Sequence, residues 1–332
     1  MRVSETCKVR QISIIDVSTP LIVPSFSSRG FTEFKEIYTS LKDYISDVSL
    51  LSAYDIYYEM QEMDIYASDI IFIDSGGYET QAIKLTATSD DVYANRDSSS
   101  IRTWSTELHQ SVLDNLQSLS QLVLISYDNW DKHQLTLSQI ETAKSLFQRY
   151  PYFASNFLYK PETPESAVIN IDNLLKYSHH LTSFSVLGIT EKELGNSILE
   201  RCHNLIKIRS ALQEQSIEIP IHILGCLDPV LMISYFLCGA DIFDGLAWLR
   251  YAFVDGLTLY QSTAILMQED WHYSESELNQ LYSIKNLQNL RQLSHAMNKF
   301  CNTKLIQEFS AWEKVMPQVL NLIKNAGLEV EE

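Results

Sequence analysis

The chain has 332 residues, 45% of them hydrophobic, with 18 Tyr and 13 Phe; that is enough apolar side chain to fill a large core, and it excludes a wholly disordered chain. The length suits either two domains or one α/β barrel of about 250 residues with an appendage. Forty-two acids against 25 bases leave a formal charge of −17, which repels phosphate polymers over most of the surface and confines any nucleic-acid contact to a local basic patch.

In chain order, Gln11–Val17 and Leu21–Phe26 alternate apolar and polar residues, interrupted at Thr19-Pro20 and Pro24. This predicts an N-terminal antiparallel segment of short strands joined by proline-fixed turns. Apolar, β-rich runs then recur at Asp69–Ile73, Leu122–Tyr127, Tyr152–Leu158, Ser183–Leu187 and Ile219–Leu224, with helical periodicity between most of them, as at Thr106–Leu119 and Thr136–Gln148. Strand and helix in alternation predict a parallel sheet covered by helices. No GxGxxG or GxxxxGK[ST] follows the first strand, so the open dinucleotide- and nucleotide-binding sheets lose support and a (β/α)8 barrel gains it.

The polar stretch Asp90–Ser100 reads as a loop where a barrel would place an active-site segment. Beyond about residue 270, Glu275–Phe300 and Thr303–Asn325 read as two helices before the acidic Glu329–Glu332. The predicted organisation is a barrel over residues 1–270 and a helical appendage over 271–332. Cys7, Cys202, Cys226, Cys238 and Cys301 form no CxxC or CxC pair, which argues against a disulfide framework and a cysteine-rich metal site. The opening MRVSETCKVR leads into no long apolar stretch, and no window approaches 18 uninterrupted apolar residues. A cytoplasmic chain with reduced thiols and no membrane contact is expected.

Three acids fall at predicted strand ends. Asp74 follows Ile70–Ile73 directly and leads into Ser75-Gly76-Gly77-Tyr78, where two glycines let a ligand approach the backbone. Asp128 lies just past the apolar run Leu122–Ile125, and Asp244 ends the short run Asp241–Phe243. Each alone also fits an ordinary turn or cap. Together they suggest a barrel mouth doing glycosyl chemistry, one carboxylate attacking an anomeric carbon and another moving the proton.

The strings Phe72-Ile73-Asp74-Ser75-Gly76-Gly77-Tyr78 and Pro220-Ile221-His222-Ile223-Leu224-Gly225-Cys226-Leu227-Asp228-Pro229, followed by Gly239-Ala240-Asp241-Ile242-Phe243-Asp244, resemble the tRNA-guanine transglycosylase family. Thr19-Pro20 with Pro24, Trp104-Ser105-Thr106-Glu107 and Asn286-Leu287 agree in order, so the resemblance runs from about residue 12 to 300, faint between the strong segments. It implies a barrel that exchanges guanine in a nucleic acid, tRNA or DNA, for a 7-deazaguanine through a covalent glycosyl-aspartate. By position, it implies Asp244 as nucleophile on C1′ and Asp74 as acid/base. It implies Asp128 on the pyrimidine edge of the base, and Ser75 and the backbone near Leu187-Gly188 completing the pocket. It also implies a homodimer, to which the apolar Trp312, Val315, Met316, Val319 and Leu322 are suited; packing on the barrel suits them equally.

The chain departs from that family in three places. The family's structural zinc site has no counterpart: Val254 to Ser283 holds no cysteine, and Lys285 stands where a histidine would be. No metal or other cofactor is therefore expected, with His272 and His295 as helix-surface residues. Arg250 is left as the one cation in Gly245–Phe253, either an acceptor-phosphate contact or one half of a buried ion pair with a barrel acid. In place of a base-reading Gln stands Ser155 or Asn156. Glu191 reads either as an exposed loop residue or as the partner of a cationic substituent on the base. The acidic surface leaves a second function open, a catalytically silent 7-deazaguanine-binding protein. Relatives found in anti-phage gene clusters would give it a partner protein from the same operon. A base-releasing hydrolase would use the same carboxylates.

Overall fold

The computed structural model describes residues 2–31, 33–80, 102–128 and 132–330; the predicted loop Asp90–Ser100 lies outside the described residues. A hairpin of β1 (Gln11–Ile12) and β2 (Val17–Ser18) precedes eight strands. These are β3 (Leu21–Pro24), β4 (Val48–Ser52), β5 (Ile70–Asp74), β6 (Gln121–Ile125), β7 (Ala154–Tyr159), β8 (Val186–Thr190), β9 (Ile221–Leu224) and β10 (Ile242–Gly245). All seven pairings of neighbours in the sheet are parallel. The two strands at the ends of the sheet order, β3 and β4, meet through a parallel bridge between Ser25 and Leu50, with the Phe26 N–H donating to Leu50 O at 3.0 Å. The chain is a closed eight-stranded parallel barrel with helices on its outside, and the predicted α/β class holds.

The predicted runs fall on strands, with two differences. Leu21–Phe26 supplies the barrel's first strand, so only β1 and β2 form the antiparallel segment. The run at Ser183–Leu187 lies early: β8 is Val186–Thr190, since Ser178–Ser183 closes into a 3-10 turn. Val48–Ser52 was not anticipated as a strand, nor was the hairpin of β11 (Ala252–Val254) and β12 (Leu257–Leu259). The latter turns through Asp255-Gly256, both at positive φ, the pairing a two-residue hairpin favours.

Side chains alternate across each strand. Val23, Leu50, Phe72, Val123, Ile125, Ala154, Val186 and Ile242 fill the barrel, and Ile12 and Val17 close its amino end. Leu51, Ile73, Leu124, Phe157, Leu187, Ile223 and Phe243 face the helices. The helix Glu275–Thr303, started by a Ser274–Glu277 capping box, packs Leu287, Leu290, Leu293 and Phe300 into that same outer layer. The stretch predicted as one helix over Thr303–Asn325 divides into a 3-10 segment Ile306–Trp312 and a helix Met316–Asn325. Pro317 sits in the latter's first turn, where no N–H is needed. Trp312, Met316 and Val319 are buried in the core of the same chain, and Val315 and Leu322 pack against it half-exposed. Among the described residues no helix is long and apolar enough to cross a membrane.

Candidate functional site

The carboxyl ends of the strands form the mouth, and they bring Asp74, Asp128, Asn156, Gly188, His222 and Asp244 to one place. Asp244 sits on β10 with its side chain directed inward, and three donors hold it. Oδ1 accepts from His222 Nε2 at 3.0 Å and from the Gly225 N–H at 3.1 Å, and Oδ2 accepts from the Ser25 hydroxyl at 2.8 Å. These contacts fix the orientation of the carboxylate in the mouth. The segment beyond Asp244 is pinned by Asn286. Its amide donates to Trp248 O at 2.8 Å and Tyr251 O at 2.7 Å, and it accepts from the Phe253 N–H at 2.7 Å.

Asp74 ends β5. Gly76, at φ +88°, turns its N–H back to Asp74 Oδ2 at 3.0 Å, a conformation an L side chain resists. Trp104 supports the turn by donating to Ser75 O at 2.8 Å. Burial and then the neighbouring Glu79 carboxylate push the Asp74 carboxyl up to about 7; Asp128 and Asp244 add to the rise against the opposing Gly76 N–H. Glu79 is itself buried and accepts from the hydroxyls of Ser27 and Ser52. The mouth therefore pairs a carboxyl that is protonated in part at neutral pH with one held by three donors.

Asp128 lies beyond β6, its N–H donating to the Ser75 hydroxyl at 3.1 Å, which gives Ser75 a positioning contact. Its Oδ2 meets Lys160 Nζ at 3.2 Å while Oδ1 is buried without a partner. Lys160 also reaches Glu193 at 2.7 Å. Burial works against the Lys160 ammonium, but the two carboxylates outweigh it and its pKa is raised. Burial raises the Glu193 carboxyl despite Lys160.

Between Ser155 and Asn156, strand alternation decides. Asn156 points into the barrel with its amide nitrogen 2.8 Å from His222 Nδ1, whereas Ser155 faces out and accepts from the Ser185 N–H at 3.1 Å. Asn156 Oδ1 is buried without a partner and lies where a Cβ on Gly188 would come within 2.6 Å of it, so a side chain at 188 would displace the Asn156 amide. The Leu187 side chain points outward into the core, leaving its main chain alone to serve the pocket.

Glu191 matches neither expectation. It is 6% exposed, paired with Arg201 and bonded to the Tyr235 hydroxyl at 2.7 Å, because the 3-10 turn Glu191–Leu194 folds it beneath the loop. Arg250 donates to the Tyr78 hydroxyl at 3.1 Å and lies 5.6 Å over the Phe31 ring, half-buried at the rim; among the described residues its partner is a hydroxyl and not a barrel acid. His272 and His295 are exposed, and Lys285 pairs with Asp270 at 3.2 Å. Among the described residues no group of three or more His, Cys, Asp or Glu could hold a metal ion, and an ammonium at 285 does not fit a zinc site.

His222, Ser25, Glu79 and Lys160 were missed from sequence. For His222 a signal existed: it alternates with Ile221 and Ile223 on a strand ending at the same mouth. A scan of the chain against models of known protein families finds no match, and a search of the curated proteins finds no relative.

Proposed function

We propose that the protein is a transglycosylase of the tRNA-guanine transglycosylase type, exchanging guanine in a nucleic acid for a 7-deazaguanine. One observation carries the reading. Asp74, its carboxyl raised to about 7, faces an Asp244 carboxylate held by three donors at the mouth of an eight-stranded barrel. A carboxyl that can give up a proton, beside a nucleophile held in place by hydrogen bonds, is what a double displacement at an anomeric carbon requires.

In the first displacement Asp244 attacks C1′ as the C1′–N9 bond breaks, and the departing purine takes its proton from Asp74. In the second, the incoming base attacks C1′ through N9 and expels the Asp244 carboxylate, and its N9 proton returns to Asp74. Protons and charge balance over the cycle, and configuration is retained. Asp128 Oδ1, buried and without a partner, is suited to accept from N1–H or the exocyclic amine of a guanine-type base.

The test is incorporation of labelled guanine, and separately of labelled 7-cyano-7-deazaguanine, into tRNA, double-stranded DNA and single-stranded DNA, with Asp244→Asn as control. Label entering one polymer and lost in the variant supports the reading and identifies the acceptor. No label in any polymer, with base binding that Asp128→Ala abolishes, would replace it with a nucleobase-binding role. Free base released without incorporation would make the protein a hydrolase.

A further inference from the structure

The interior of the barrel holds a polar line that the proposed chemistry does not by itself require. Asn156 Nδ2 lies 2.8 Å from His222 Nδ1, and His222 Nε2 lies 3.0 Å from Asp244 Oδ1. His222 is fully buried, with Phe72 edge-on at 5.3 Å, so no water shares the ring's nitrogens on that side. An amide nitrogen can only donate, so His222 Nδ1 accepts and the proton of the neutral ring sits on Nε2, aimed at Asp244. Gly188, by leaving room for Asn156 Oδ1, lets the amide take this orientation.

The two oxygens of Asp244 are thereby made unequal. Oδ1 carries two fixed donors, His222 and the Gly225 main chain, and among the described residues Oδ2 carries only the rotatable Ser25 hydroxyl. We infer that Asn156 and His222 are positioning residues that lock one imidazole tautomer, anchor Asp244 through Oδ1 and present Oδ2 as the attacking atom. The catalytic consequence rests on the base-exchange reading; the proton arrangement does not.

The closing experiment therefore has two arms. In the first, imidazole nitrogens are observed by NMR on protein labelled with 15N-histidine at pH 8, where a free imidazole is neutral, and His222 is assigned by its loss in His222→Gln. The wild type is expected to show the Nε2–H tautomer at His222. Asn156→Asp replaces a donor with an acceptor and is expected to bring a proton onto Nδ1. A wild-type Nδ1–H tautomer, or Asn156→Asp leaving Nδ1 unprotonated, overturns the relay.

In the second arm, kcat and KM are compared for His222→Gln, whose amide nitrogen takes the place of Nε2, and His222→Asn, whose amide does not reach Asp244. His222→Asn is expected to lose about a hundredfold in kcat, as for one lost donor to a reacting oxyanion, with KM little changed. His222→Gln is expected to stay within about tenfold of the wild type. Equal losses in the two variants, or losses confined to KM, overturn the positioning role. Absence of exchange in the wild type defeats the base-exchange reading alone, and the tautomer measurement still decides the relay.

Discussion

Asp241, just before β10, and Asp244, near its carboxyl end, stand three positions apart, and their surroundings differ in kind. At the amino end, Asp241 accepts from Arg10 at 2.6 Å, from Arg209 and from the Ile221 N–H at 2.8 Å. Arg209 spends its remaining donors on Gly239 O at 2.9 Å and Ile219 O at 3.1 Å. Around Asp244 and its neighbours the pairing is incomplete: Asp128 Oδ1, Asn156 Oδ1 and Glu193 Oε2 are buried without partners, and three acids crowd Asp74. A barrel closes its floor with charges that satisfy one another. At its mouth it leaves polar atoms without a protein partner, which a ligand could satisfy.

The sharpest way to break this contrast is to neutralise each aspartate in turn. Asp244→Asn is expected to abolish base exchange and covalent trapping, because an amide cannot attack C1′, while chemical denaturation finds stability little changed. Asp241→Asn should do the reverse, leaving Arg10 and Arg209 under-compensated in the interior and costing about 3–5 kcal/mol in urea unfolding. A large stability loss at Asp244, or none at Asp241, would erase the distinction between floor and mouth.

A smaller effect follows from pH. The Asp74 carboxyl titrates near 7 in the fold against about 4 in an unfolded chain, so between those values the native state binds the extra proton. Stability then falls as pH rises from about 4 to about 7. Asp74→Asn should flatten that slope, stabilise the protein at pH 8 by about 1–2 kcal/mol and abolish exchange. Thermal unfolding at pH 5 and pH 8 for both proteins measures it, and an unchanged slope in the variant would place the strain elsewhere.

What could be read in advance follows the same division. The barrel was legible because buried parallel strands are apolar runs, and Asp74, Asp128 and Asp244 stood out because each interrupts one at its end. Val48–Ser52 escaped because its two serines dilute the apolar signal. Lys160 and Glu193 escaped for a tertiary reason: both lie just past strands, and only closure of the barrel brings them to Asp128. His222 sits on an apolar strand, where sequence alone reads a histidine as core. Glu191 and Glu193 are two residues apart, yet one is consumed by Arg201 and Tyr235 and the other faces Lys160. A turn sets that difference, and residue type does not reveal it.

The smallest effect tests the rim. Arg250 bonds a hydroxyl and lies over an aromatic ring, so among the described residues no carboxylate neutralises its charge as Asp241 does that of Arg10 at the floor. If a phosphate of the acceptor takes that charge, Arg250→Gln removes one counterion's worth of coupling. The slope of log affinity against log salt for the labelled polymer should then shrink by about 0.7 to 0.9, the lower figure for a single strand and the higher for a duplex. The fold should be unaffected, because the lost contacts are one hydrogen bond to Tyr78 and one ring contact with Phe31 at the half-buried rim. Equal salt slopes for variant and wild type would move the acceptor's path away from this side of the mouth and leave Arg250 as a support for the Tyr78 turn beside Asp74.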